Sequence, residues 1–307
     1  MRKFILVTFL FSLPILVLFL TIEFLLRNDK NSYYALKKKA LVEQIDSCKI
    51  LVLGSSSENS GINPVFFNSK GINLAFVGGT SLDIFNLLIL KYVDKMPKLE
   101  KVIIPVSTFT FFATEEREEM KFRKILLNRY FGLYDNDFNN ILPSSMVLNL
   151  GLKKSLKSIF NKQSNNVDKY GFDPMHGNLP ECLNDNFGKK TVIRHLGSNN
   201  DDIKSNVFNN NINLLDSITL FLKKRNIKVY LITTPTHVSY FKNVNEKIFD
   251  MIFKEISKIT SKYNTKYYNF ISDIRFNDLD FYNCDHLNIN GATKFSKILN
   301  EEVINKD

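Results

Sequence analysis

Two short segments hold the residue types that nucleophilic catalysis needs. In Lys49-Ile50-Leu51-Val52-Leu53-Gly54-Ser55-Ser56 a short apolar run ends at a glycine and then presents serines, continuing into Ser57. About 230 residues later, Asn283-Cys284-Asp285-His286-Leu287-Asn288 places a histidine just before Gly291-Ala292 and a final amphipathic run. A hydroxyl is a poor nucleophile at neutral pH, so it must sit at an exposed strand-to-loop corner where an imidazole can take its proton during attack. Gly54 supplies the corner. By itself Gly54-Ser55-Ser56-Ser57 also reads as a polar turn after a buried strand, since Gly and Ser are ordinary turn residues; the distant His286 segment shifts the reading toward a serine and its base.

These blocks resemble the SGNH (GDSL-like) hydrolase superfamily, and more closely its membrane-anchored members associated with bacterial surface polysaccharide. Leu53-Gly54-Ser55-Ser56-Ser57, followed by Gly61-Ile62-Asn63-Pro64, is similar to the family's first block, which puts the nucleophile on Ser56. Ile72-Asn73-Leu74-Ala75-Phe76-Val77-Gly78-Gly79-Thr80-Ser81 looks like the strand and turn whose glycine N–H helps form an oxyanion hole, with Gly78 aligning best. Asp285-His286-Leu287-Asn288 is the block of the base, His286. The chain departs from the pattern twice. Pro105-Val106-Ser107-Thr108 stands where the family has Gly-x-Asn-Asp, leaving Ser107 to offer a hydroxyl in place of the asparagine. The triad aspartate, three residues before the histidine in the family, is Asn283 here, while Asp285 directly precedes His286. An asparagine can fix the imidazole tautomer, but it cannot stabilise the imidazolium as an anion does.

The remaining reactive residues are sparse. His237, in Thr234-Pro235-Thr236-His237, follows a predicted strand and is a weaker candidate for substrate contact; a surface-loop histidine is the plainer reading. Gly78 also fits a simple turn and Ser107 a helix cap. Cys48, Cys182 and Cys284 leave one cysteine unpaired in any pairing, and no C-x-x-C spacing points to zinc or redox chemistry. Cys284 fits a small packing residue. Four histidines without paired ligand spacing give no support for a metal, and ester chemistry at a serine needs no cofactor.

Elements able to position these residues follow from hydrophobic pattern. Strands are expected at Ile50–Leu53, Ile72–Phe76, Val102–Val106, Ile227–Thr233 and Lys266–Phe270, with amphipathic helices at about 81–95, 205–225, 243–263 and 291–304. That alternation predicts an α/β fold with a doubly wound five-stranded parallel sheet, of flavodoxin-like SGNH type by the resemblance. Ligands of such sheets bind beyond the carboxyl ends of the strands, where the Ser56, Gly78 and Ser107 loops would open.

Residues 1–27 read as an N-terminal membrane anchor. The apolar run Phe4–Leu26 spans about 35 Å at ~1.5 Å per residue, enough for a hydrocarbon core of ~30 Å, and Glu23 to Arg27 offers no small-residue cleavage site. Arg2 and Lys3 favour an inside N-terminus, whereas Arg27, Lys30 and Lys37 to Lys39 favour the reverse; the resemblance implies an extracytoplasmic domain. Residues 28–47 form a connector that looks helical from Tyr33 to Ile45, and 48–307 form the SGNH-like domain, with an insertion at about 113–204 that includes a charged helical run, Glu115–Asn128. A long insertion of this kind is usually a lid or binding element.

The formal net charge of +10 comes without interleaved basic and aromatic residues or any nucleic-acid-binding motif, and a basic surface near anionic lipid or acidic glycan accounts for it. The expected function is a membrane-anchored SGNH-type serine esterase or O-acyltransferase, acting on acyl esters, acetyl foremost, of a cell-surface polysaccharide. The alternative is a weak or inactive SGNH-like module that binds glycan or protein in envelope assembly. Expected partners are a cell-surface glycan or acylated sugar and the bilayer through residues 4–26, with no nucleic acid.

Overall fold

The computed structural model describes residues 1–78, 81–113, 118–134, 145–160, 165–196 and 201–306. Gly79 and Thr80 of the Ile72–Ser81 segment lie outside these, as do parts of the Glu115–Asn128 run and of the 113–204 stretch. In chain order the elements begin with α1 (Arg2–Arg27), α2 (Tyr33–Gln44), β1 (Ile50–Val52), α3 (Ser56–Gly61), β2 (Gly71–Asn73), α4 (Leu82–Tyr92), β3 (Lys101–Pro105), α5 (Thr108–Phe112), α6 (Glu118–Phe131), α7 (Met146–Leu150) and α8 (Leu152–Phe160). They continue with α9 (Asp185–Leu196), α10 (Asp201–Lys223), β4 (Lys228–Thr233), α11 (Val238–Phe241), α12 (Glu246–Tyr263), β5 (Lys266–Asn269), β6 (Phe281–Asn283), β7 (His286–Leu287) and α13 (Ile289–Leu299).

The residues group into two compact units, Met1–Lys38 with Glu116–Asn165, and Lys39–Glu115 with Asn166–Asp307. The stretch expected as one insertion into the sheet domain, 113–204, is therefore divided between them. In the first unit, α1 is long enough and apolar enough, at a mean hydropathy of 2.7, to cross a membrane. Ile22 and Leu26 near its C-terminal end pack with Met146 and Val147 of α7, and Leu156 and Ile159 of α8 pack against this cluster. Glu23, which interrupts the apolar run, accepts hydrogen bonds from Ser145 Oγ at 2.8 Å, Met146 N at 3.0 Å and Val147 N at 2.9 Å. The carboxylate thus satisfies N–H groups of the first turn of α7, which have no partner within the helix.

The second unit is built on a five-stranded all-parallel sheet of order β2-β1-β3-β4-β5. Side chains alternate across a strand, so Ile50, Val52, Ile103, Tyr230 and Ile232 share one face, and there they form a core with Phe295, Leu299 and Val303. Leu51, Val102, Ile104, Val229 and Leu231 face the other way and are also buried. Burial on both faces explains why these strands read as continuous apolar runs. The carboxyl end of the chain is fastened beside α3: Asn63 N donates to Ser296 Oγ and Asn68 N to Asn300 Oδ1, each at 2.8 Å. A separate two-stranded antiparallel hairpin, β6 with β7, precedes α13.

Candidate active site

Gly54 follows β1 at the point where the strand order reverses between β1 and β3, which is where parallel α/β sheets open a crevice. The chain turns at once into α3. A Cβ on Gly54 would lie 2.4 Å from Cβ of Glu58, so only glycine lets α3 start this close to the strand. Gly54→Ala is accordingly expected to cost about 1–3 kcal/mol, as overpacked sites do, read as a lower urea midpoint with unchanged slope; an unaltered midpoint would show that the corner has slack.

Ser55 caps α3. Its N–H and hydroxyl both donate to Glu58 Oε2, at 2.8 and 3.1 Å, and Thr234 donates to Oε1 at 3.2 Å. Burial pushes the Glu58 carboxyl upward against those hydrogen bonds. Ser57 donates to the Asp285 carbonyl at 3.1 Å. With its two neighbours tied into structure, Ser56 is the serine turned toward the base: its Oγ lies 2.7 Å from His286 Nε2. Ser56 is half-buried and begins α3, so its own N–H has no intrahelical acceptor.

His286 comes from the β6–β7 hairpin. Asn283 Oδ1 accepts from the backbone N–H of Asp285 at 3.1 Å and of His286 at 2.9 Å, which sets the turn. Two acceptors then meet His286 Nδ1, Asn283 Oδ1 at 3.0 Å and Asp285 Oδ1 at 3.1 Å. The ring must carry its proton on Nδ1, leaving the Nε2 lone pair to receive the Ser56 proton. Both candidate orienting residues are therefore in contact with the same ring nitrogen.

Asp285 is itself embedded in charge. Arg194 Nη2 lies 3.8 Å and His195 Nε2 3.3 Å from its Oδ2. Burial alone would raise this carboxyl, but the charge and hydrogen bond of His286, with the charges of His195 and Arg194, hold it well below the usual carboxylate range. Burial would likewise lower the His286 pKa; the charge and hydrogen bond of Asp285, aided by Glu58, outweigh it and raise the imidazole above its ordinary value.

Helix α9 brings His195 in. His195 Nδ1 meets Tyr240 Oη at 2.8 Å, and that hydroxyl meets Thr108 Oγ1 at 2.8 Å. A line of polar groups thus runs from Ser56 through His286, Asp285, His195 and Tyr240 to Thr108. The close approach of α9 depends on Gly188, where a Cβ would fall 1.8 Å from the Ser239 carbonyl oxygen. Neither His195 nor Arg194 had a local signature, because their meeting with Asp285 exists only after α9 packs on α11. Glu58 had one, the Ser-x-x-Glu spacing from Ser55 that marks a helix N-terminus.

The other candidates are placed as follows. Gly78 follows the β2 region with φ +88, a left-handed conformation that suits glycine. Ser107 caps α5, accepting from Thr110 N at 3.2 Å and sharing a 2.9 Å hydrogen bond with Thr110 Oγ1. His237 is buried rather than on a surface loop: it caps α11, its Nδ1 against Ser239 and its Nε2 3.1 Å from Asp278 Oδ1, while its N–H holds the Cys284 carbonyl at 3.0 Å. It thereby steadies the turn that carries His286. Cys284 is fully buried and burial, with the Asp285 charge, pushes its thiol up to about 12, so it stays protonated at neutral pH. Among the described residues no cluster of three His, Cys, Asp or Glu is arranged to hold a metal ion.

A cavity of about 20 Å³ lined by Ser57, Ser107, His195, Thr234 and Asp285 adjoins the site, with room for about one water molecule. Ser56 is outside its lining. A different cavity of about 440 Å³, lined by Lys223, Lys228, Tyr263 and Lys266, lies at the amino ends of β4 and β5, away from the Ser56 corner. No protein-family model matches the chain, and no curated protein does so either.

Proposed function

We propose that the protein is a membrane-anchored serine esterase or O-acyltransferase of SGNH type, acting on acyl esters of a cell-surface glycan. The observation that carries this reading is the linear set Ser56–His286–Asp285/Asn283, with a 2.7 Å contact between hydroxyl and imidazole and an anion behind the ring. The strand order 2-1-3-4-5 and the placement of Ser56 at the switch point support the same family reading.

In the reaction, Ser56 Oγ attacks the ester carbonyl and its proton passes to His286 Nε2. Asp285 stabilises the imidazolium, and the N–H groups of Ser56 and Gly78 hold the oxyanion. Collapse of the tetrahedral adduct breaks the ester bond, and the departing alcohol takes the proton from Nε2. The acyl group, now on Ser56, passes to water or to a sugar hydroxyl by the same steps in reverse. An ester such as p-nitrophenyl acetate tests this: the full chain should release nitrophenol with a burst of one per chain, then a steady phase that a sugar acceptor accelerates if transfer is the native reaction. Release at the rate of buffer alone would end the esterase reading.

One observation favours the second reading, a weak or inactive glycan-binding module. The Ser107 hydroxyl, expected to stand in for the family's asparagine, accepts from Thr110 N and shares a hydrogen bond with Thr110 Oγ1, which draws it into the cap of α5.

The membrane placement rests on α1. Full-length protein should sediment with membranes, and protease added after permeabilising outer layers should cleave residues beyond about 30 if the sheet unit is extracytoplasmic. Complete protection by an intact inner membrane would place that unit in the cytoplasm and remove the surface-glycan substrate.

A further inference from the structure

The first unit contains a recess of its own, of about 690 Å³, within the range of small-molecule sites. Its floor is apolar, formed by Leu26 in the last turn of α1, Leu126 of α6, and Met146 and Leu150 of α7. Its charged lining is Lys154 and Lys157 of α8 and one carboxylate, Asp29, so the lysines outnumber the acid.

Helix α8, Leu152-Lys153-Lys154-Ser155-Leu156-Lys157-Ser158-Ile159-Phe160, has lysine as its only charged residue type. Leu156 and Ile159 pack against the end of α1, while Leu152 is 51% and Phe160 79% exposed. Exposed apolar side chains beside lysines are costly in water and stable at a bilayer surface, where the apolar groups enter the acyl region and the ammonium groups meet phosphate. The neighbouring surface of α1 is of the same kind, with Phe24 65% and Leu25 47% exposed. The recess therefore lies at the end of the helix that, among the described residues, is long and apolar enough to cross a membrane, and the exposed apolar side chains of α8 stand beside it.

We infer that α8 lies in the membrane interface and that the recess binds the headgroup of an anionic phospholipid, with Lys154 and Lys157 on the phosphate and acyl chains along α1. The inference rests on the reading of α1 as a membrane-spanning helix. Charge complementarity and continuity with α1 set lipid apart from a soluble partner, whose groove would have no reason to join a lipid-facing helix.

The chain has no tryptophan, so Leu16→Trp and Phe160→Trp each create a protein with one emitter. Full-length protein is placed in nanodiscs of equal phosphatidylcholine and phosphatidylglycerol, with bromine quencher on the acyl chains of only one lipid at a time. Quenching of Leu16→Trp by both lipids reports that α1 is inserted; its absence removes the membrane reading itself. Phe160→Trp should be quenched more by brominated phosphatidylglycerol than by brominated phosphatidylcholine, corresponding to an enrichment of roughly five-fold for one engaged lysine. Adding Lys154→Glu with Lys157→Glu should bring the two to parity. Equal quenching of Phe160→Trp by both lipids, or none, while Leu16→Trp remains quenched, would overturn the lipid site and leave the anchor standing.

Discussion

The Ser56→Ala protein is expected to lose all covalent labelling by a fluorophosphonate probe, and its turnover should fall about 10⁶-fold, the scale on which serine hydrolases lose their nucleophile. Ser55→Ala and Ser57→Ala should keep labelling. Their hydroxyls are engaged elsewhere, Ser55 with Glu58 and Ser57 with the Asp285 carbonyl. Each forfeits one hydrogen bond of about 1 kcal/mol, which shifts stability more than chemistry. Circular dichroism should show the Ser56→Ala fold unchanged, since its Oγ contacts the base and supports no helix. Labelling of Ser56→Ala equal to that of the native chain would move the nucleophile elsewhere.

The second large effect concerns the group behind the imidazole. Asp285→Asn should lower turnover by about 10³–10⁴-fold, the loss seen when a triad carboxylate becomes an amide. The pH profile should move with it. His286 serves as base only when neutral, so kcat/KM falls as pH drops through its pKa. Asp285 raises that pKa, so the acid limb of the native chain's profile should lie above the ordinary histidine value of about 6.5. Removing the anion should shift the limb to lower pH. Asn283→Asp would place a second anion on Nδ1 and shift it to higher pH. A chain silenced by Asn283→Ala yet indifferent to Asp285→Asn would give the orienting role to Asn283 alone.

Strands β1, β3, β4 and β5 were readable because their runs are short and rich in β-branched or aromatic residues, and they fall within a residue or two of the expected positions, whereas β2, Gly71–Asn73, ends three residues short of the expected Ile72–Phe76 run. The meeting of Ser56 with His286 was legible because Gly54, two residues before Ser56, marks a corner after a strand, and Asp285, next to His286, marks a charged partner for the ring. What escaped notice depends on distant packing. Tyr282 and Asn283 have no strong strand pattern; they join the β6–β7 hairpin because Leu179 N donates to the Tyr282 carbonyl at 2.8 Å and Asn283 folds the turn onto itself. His195 lies in a polar helical stretch, and nothing near it in sequence hints at a carboxylate 90 residues later. The division of the 113–204 stretch was hidden for a related reason: the packing of Met146 and Val147 on α1 joins segments far apart in the chain.

The two halves of the dyad are 230 residues apart in the chain, and the segment bearing the base is held beside α3 by Ser296 and Asn300. A ribosome adding about 5–20 residues per second takes roughly ten to fifty seconds to travel from one to the other. Throughout that interval Ser56 has no imidazole and is an ordinary alcohol. On the proposed esterase reading, reactivity is acquired late in synthesis, when α13 docks, and a nascent or C-terminally clipped chain would be silent toward esters.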